Sequence, residues 1–145
     1  MPESLDAYAE LRAMRARLEG IEHRQEMLVR AHSEEILATV WEYIDRDEML
    51  AEIFLLVDGT RTQKDILAEL SRRGTPVAKG GLSTKLKTLR NELGLVEISE
   101  RDATGATLRK SDLDKILHLT TKVARRLAAN RKAKAQTRKS APRRS

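Results

Sequence analysis

A mainly α fold with a small β-hairpin is the architecture this sequence predicts. Three observations carry the prediction. Apolar residues recur at helical spacing through most of the 145 residues. Two short segments with period-2 alternation flank the turn-rich Asp102-Ala103-Thr104-Gly105. Charged residues make up 34% and aromatics 3%, a helix-leaning composition without a large aromatic core. The expected order is an N-terminal heptad helix, a central helical domain carrying the hairpin, and a C-terminal helix.

Residues 5–32 fit a heptad. With Leu11 and Leu18 at a, Met14, Ile21 and Leu28 fall at d, while Gln25 and His32 are later a positions. Most remaining positions are Arg, Glu or Gln, as a solvated surface requires, and Gly20 costs about 1 kcal/mol relative to alanine. Leu11, Met14, Leu18, Ile21 and Leu28 are therefore expected to form a dimerisation seam, with packing on the chain's own domain as the alternative. Ser33 is expected to cap a second helix, whose apolar face is Ile36, Leu37, Val40, Trp41 and Ile44. Asp47 can cap a third, over Leu50, Ile53, Phe54 and Val57, ending at Asp58-Gly59. Trp41 and Phe54 read as core residues.

Thr62-Gln63-Lys64-Asp65 matches a capping box and opens a helix over Ile66, Leu67 and Leu70 that stops at Arg73-Gly74. After a connector containing Pro76, another helix is expected to run to Leu93, with Leu82, Leu86, Leu89 and Leu93 on one side and Gly94 as terminator. In the hairpin, Val96 and Ile98 alternate with Glu97 and Ser99, and Ala106 and Leu108 with Thr107 and Arg109. Ser111 is expected to cap one last long helix carrying Leu113, Ile116, Leu117, Val123 and Leu127. Residues 131–145 are basic, rich in small residues and contain proline, and are expected to be disordered when free.

Charge is distributed steeply. The net is −8 over residues 1–60, +4 over 61–121 and +10 over 122–145, giving +6 in total. The basic end would be drawn to a polyanion. The absence of cysteine excludes disulfides, thiolate metal sites and thiol redox sensing. The longest uninterrupted apolar run, Ile53–Val57, falls far short of the roughly 20 residues a membrane helix needs. The N-terminus is acidic and has no apolar stretch of the kind a secretion signal carries, so a cytoplasmic, nucleoid-associated location is expected. His23, His32 and His118 stand apart, without metal-ligand spacing. No phosphate loop, nucleophile elbow or dinucleotide fingerprint occurs, so neither catalytic residues, nor a cofactor, nor a metal is expected, and the protein is not expected to be an enzyme.

The order helix, helix, turn, helix, hairpin is the plan of a winged helix-turn-helix, in which the second helix of the pair enters the DNA major groove. Asp58-Gly59-Thr60 followed by Asp65-Ile66 and Leu70, then Ser83, Leu86-Lys87, Leu89 and Gly94-Leu95-Val96, resembles the winged-helix transcriptional regulators of the ArsR/MarR type. The resemblance covers residues 59–98, and its longer connector, residues 71–79, is similar to that of arginine-repressor-like domains. It implies a DNA-binding regulator. Metal-sensing members of the resembled families use cysteine or histidine clusters, which are missing here, so metal control is not expected.

Within the reading helix, about 100° per residue puts the leucines on one side. Gly80, Thr84, Lys87, Thr88 and Asn91 fall opposite, with Ser83, Lys85 and Arg90 on the flanks. Lysines neutralise phosphate or reach guanine, asparagine pairs with adenine, and hydroxyls or threonine methyls meet base edges. Arg72 and Lys79 are expected at phosphates, and Arg101, Arg109 and Lys110 would serve a wing.

The expected divisions are a heptad helix over 1–32, a winged helix-turn-helix over 33–110, a C-terminal helix over 111–130 and a disordered basic tail over 131–145. The expected partners are double-stranded DNA and a second copy, with no membrane and an optional protein partner at the acidic N-terminal region. Sequence-specific regulation of transcription is the expected role. The alternatives are a nonspecific architectural, plasmid-partition or phage DNA-binding protein, and a winged-helix adaptor.

Overall fold

Helix α3 (Glu48–Leu56) is the element around which the others are arranged. Leu50, Ala51, Ile53, Phe54 and Leu56 on it, and Val57 just beyond, are all buried. The computed structural model of the protein describes residues 2–140 apart from Thr104. Seven helices and one two-stranded antiparallel hairpin are described: α1 (Pro2–Ala31), α2 (Ser33–Arg46), α3, α4 (Gln63–Arg72), α5 (Lys79–Lys87), β1 (Val96–Asp102), β2 (Gly105–Lys110), α6 (Asp112–Leu117) and α7 (Leu119–Ser140). The mainly α class with a small hairpin is therefore correct. No helix among the described residues is long and apolar enough to cross a membrane.

Helix α1 extends about 45 Å. It meets the body chiefly through α6 and α2, with Val29 packed on the core. The passage into α2 corrects an expectation. His32, not Ser33, occupies the N-cap position, and it makes no side-chain cap. His32 N–H donates to the Leu28 carbonyl and Ile36 N–H to that of His32, each at 3.0 Å, so helical bonding runs on across the junction and no cap is needed. Val40 and Ile44 of α2 are buried against α3, and Trp41 is half-buried. Asp47 begins α3 by accepting from Met49 N–H at 3.1 Å.

Asp58 organises the exit from α3. Its Oδ1 accepts from the N–H groups of Thr60 (2.9 Å) and Arg61 (3.0 Å), which holds its carboxyl below the ordinary value. Gly59 takes φ +88°, a conformation that favours glycine, and its N–H donates to the Leu108 carbonyl at 2.8 Å. Leu108 N–H returns a bond to the Arg61 carbonyl, and Thr62 bridges Thr107. The segment between α3 and α4 is thus a rudimentary third strand on β2, which the sequence did not announce.

Thr62 and Asp65 form the capping box: Asp65 N–H donates to Thr62 Oγ1 at 3.2 Å, and Thr62 N–H to Asp65 Oδ2 at 3.0 Å. Leu82 and Leu86 of α5 and Leu89 just after it are buried, while Leu93 is half-buried. The helix expected to run on to Leu93 departs from α geometry. Residues Thr88–Glu92 make a π-helical turn, with Leu93 N–H donating to the Thr88 carbonyl at 3.1 Å. In the hairpin, Ile98 pairs with Leu108 and Val96 with Lys110, and the register slips between Ile98 and Glu100.

Three further expectations are corrected at the C-terminus. The last helix is broken at His118, which takes φ +53° and ψ +47°. Ser111 stands at the N-cap of α6 without a side-chain cap, and it is Asp114 that starts α7, accepting from the N–H and hydroxyl of Thr120 at 2.7 Å each. The chain expected to be disordered from residue 131 is helical through Ser140; residues 141–145 lie outside the described residues. Ion pairs hold its first part to the body. Arg126 binds Asp45 (2.6 and 3.1 Å) and Asn130 adds 2.9 Å, while Arg131 meets Glu52 and Lys134 meets Glu48.

Hydrogen bonds from Arg126 and then Asn130 hold the Asp45 carboxyl below its ordinary value of 3.8. A depressed carboxylate contributes stability that is complete above the unfolded value and is lost as pH falls through the folded one. Trp41, whose ring lies 5.1 Å from the Arg126 guanidinium, reports this contact. Trp41 emission should hold constant at neutral pH and change only below about pH 4. Asp45→Asn should show the acid-form emission already at pH 7.

Candidate nucleic-acid interface

A cleft of about 680 Å³ opens where α4, α5 and the hairpin converge. Its apolar floor includes Leu67, Leu86, Ile98 and Leu108. Lys64 at the start of α4, and Lys79, Lys87 and Arg90 along and beyond α5, line it, and no acidic side chain does among the described residues. Each element puts its cations there for a local reason. The capping box fixes Lys64 on the first, exposed turn of α4, and the buried leucines of α5 force Lys79, Lys87 and Arg90 to the exposed side. None of the four is paired with a carboxylate among the described residues.

The expected DNA-facing residues separate into two groups. Lys79, Ser83, Lys87 and Arg90 line the cleft, while Gly80, Thr84 and Asn91 are exposed beside it and Thr88 is half-buried. Gly80 has open space where a Cβ would stand. The Thr84 hydroxyl donates to the Gly80 carbonyl at 3.0 Å and that of Thr88 to the Thr84 carbonyl at 3.3 Å, so each hydroxyl keeps only acceptor capacity for an outside partner. Arg101 is exposed on β1.

Lys85, Arg72, Arg109 and Lys110 are engaged elsewhere. Lys85 reaches across to Asp47 at the start of α3. Arg72 is held by Glu69 at 2.6 Å, and Arg73 shares the same carboxylate at 2.8 Å. Those two guanidiniums, Arg72 first, pull the Glu69 carboxyl down to about 2. Arg109 pairs across the hairpin with Glu97 at 2.7 Å. Lys110 is half-buried with its ammonium 5.1 Å from the centre of the Phe54 ring, and burial lowers its pKa. The partners of Lys85, Arg109 and Lys110 belong to other elements, so spacing along one helix carried no sign of them, whereas Glu69 lies three and four residues before Arg72 and Arg73.

Sequence reasoning passed over Lys64, Gln63 and Thr62, which also line the cleft. The available signal was the capping box itself, since it sets the first turn of α4 at the surface next to β2. Compared with described protein families, curated proteins and solved structures, the chain matches none.

Asp47 both caps α3 and receives Lys85, so the two residues should act on stability. Asp47→Ala should cost about 1–2 kcal/mol in urea unfolding, and Lys85→Ala less than about 1 kcal/mol because the pair is partly exposed.

Proposed function

We propose that this protein is a winged helix-turn-helix that binds specific double-stranded DNA as a homodimer and regulates transcription in the cytoplasm, at the nucleoid, without catalysing a reaction. The observation that carries this reading is the cleft whose described lining holds four cations without carboxylate partners and no acidic side chain. Several other cations are drawn off by carboxylates: Arg72, Arg73, Lys85, Arg109, Arg126, Arg131 and Lys134 all meet one. Supporting it is the order α3, short strand, α4, α5, hairpin, which matches the winged-helix plan including a third strand beside the wing.

In this reading α5 enters the major groove. Thr84, Lys87 and Arg90 are offered to base edges, while Lys64 and Lys79 neutralise flanking phosphates. The wing contributes Arg101, because Arg109 and Lys110 are occupied. The basic C-terminal end adds sequence-independent attraction, but less than its charge implies, since Arg131 and Lys134 are held by α3. A second reading, a protein-interaction adaptor, is favoured by the exposed apolar residues of α1.

The test is alanine substitution measured on a site recovered by unbiased selection and on random duplex. Lys87→Ala and Arg90→Ala should each cost about 1–3 kcal/mol on the selected site and much less on random DNA. Lys64→Ala and Lys79→Ala should weaken both alike and each reduce the slope of log affinity against log salt by about 1. If all four variants bind as the parent does, the cleft is not a DNA surface and the adaptor reading takes its place.

A further inference from the structure

Leu11, Met14, Leu18, Ile21 and Leu28 form one strip along α1, and each is 47–64% exposed. The strip stays exposed among the described residues, the main contacts of α1 being with α2 and α6. We infer that a second copy of α1 covers it, in a parallel, in-register two-stranded coiled coil. The inference rests on the homodimer reading above and adds the orientation and the residues that set it.

The charges flanking the strip are self-complementary in one direction only. With Leu11 at a, the g positions hold Glu10 and Arg17, and the e positions Arg15 and Glu22. In a parallel pair each g residue faces the e residue five further along the other strand. Glu10 then meets the partner's Arg15, and Arg17 meets the partner's Glu22. Two-fold symmetry doubles these to four attractive pairs. None of the four side chains has an ion-pair partner among the described residues of its own chain.

The antiparallel arrangement sets Leu11 against the partner's Leu28 and Leu18 against the partner's Ile21. There g faces g and e faces e. Arg17 is forced against the partner's Arg24, which cancels the attraction of Arg15 for the partner's Glu22. Gln25 decides in the same sense. At an a position in a parallel pair it lies opposite its own copy, where the two amides can bond each other, whereas the antiparallel register sets it against the partner's apolar Met14. Exposed ion pairs are individually weak, so these charges select orientation while the apolar strip supplies affinity. A parallel coil brings both α1–α2 junctions, and with them both clefts, to one end of the assembly.

The chain has no cysteine, which permits a direct test on the full-length protein. Leu11→Cys and Leu28→Cys, each alone, should form disulfide-linked dimers on mild oxidation, because equivalent positions of a parallel coil lie within the roughly 4.4–6.8 Å that a disulfide spans. Cross-linking only when the two variants are mixed would overturn the parallel orientation and leave the homodimer intact. A dimer by sedimentation without any cross-link would place the interface off α1, again sparing the homodimer, and a monomer would overturn both. A charge variant guards against loss of the seam through the cysteine itself. Arg15→Glu should weaken dimerisation about tenfold or more, from two attractions replaced by two repulsions. Adding Glu10→Arg should restore it. Failure of that rescue would overturn the parallel pairing, since in the antiparallel register Glu10 and Arg15 do not meet the same partner segment.

Discussion

Helix α3 has almost no side that can face water, and the rest of the body is arranged to satisfy it. Its five buried residues, Leu50, Ala51, Ile53, Phe54 and Leu56, with Val57 just beyond, are interrupted only by the half-buried Glu52 and Leu55 and need apolar cover in every direction. Helices α2, α5 and α7 supply it. For α5 this has a functional consequence: once Leu82 and Leu86 are committed to α3, the cationic side of the helix can only point outward, beside the hairpin. The same core that stabilises the chain therefore aims the cleft.

The second organising influence is the division of charge along the chain. The acidic N-terminal part and the basic C-terminal part do not remain separate in space. Asp45, Glu48 and Glu52, on or beside α2 and α3, collect Arg126, Arg131 and Lys134 from α7, and Asp47 collects Lys85. Exposed pairs of this kind contribute modestly one by one. Together they lay a helix rich in lysine and arginine onto the body, and their larger effect is selective. Arg126, Arg131, Lys134 and Lys85 are drawn to the acidic edge, while Lys79, Lys87 and Arg90 along and beyond α5 have no carboxylate partner among the described residues.

Local chemistry was legible in the sequence wherever the governing interaction spans only a few residues. The Thr62–Asp65 box, the Asp47 cap, the leucine spacing of α5 and the two alternating strands each have a short-range cause. What could not be read depended on partners far along the chain. Past residue 130, α7 is held to the body by Arg131 and Lys134, whose partners lie about 80 residues away, so its composition alone resembled a disordered tail. The withdrawal of Lys85, Arg109 and Lys110 from the site has the same origin in tertiary neighbours. The break at His118 is different: a left-handed histidine has no strong signature, and Asp114 accepting from Thr120 N–H and Oγ1 is what makes the break affordable. The capping box places Lys64 on an exposed first turn of α4, but that this turn lies beside β2 depends on bonds such as Gly59 N–H to the Leu108 carbonyl.

The central claim is that an unpaired, acid-free basic cleft set by the core reads DNA sequence. Its most direct test is a binding titration of the whole chain at several salt concentrations, on duplex recovered by selection and on random duplex of equal length. The account predicts a preference for the selected duplex of about 10³-fold or more that survives rising salt while both affinities fall. Equal affinity for the two duplexes at every salt concentration, or binding to neither, would contradict it.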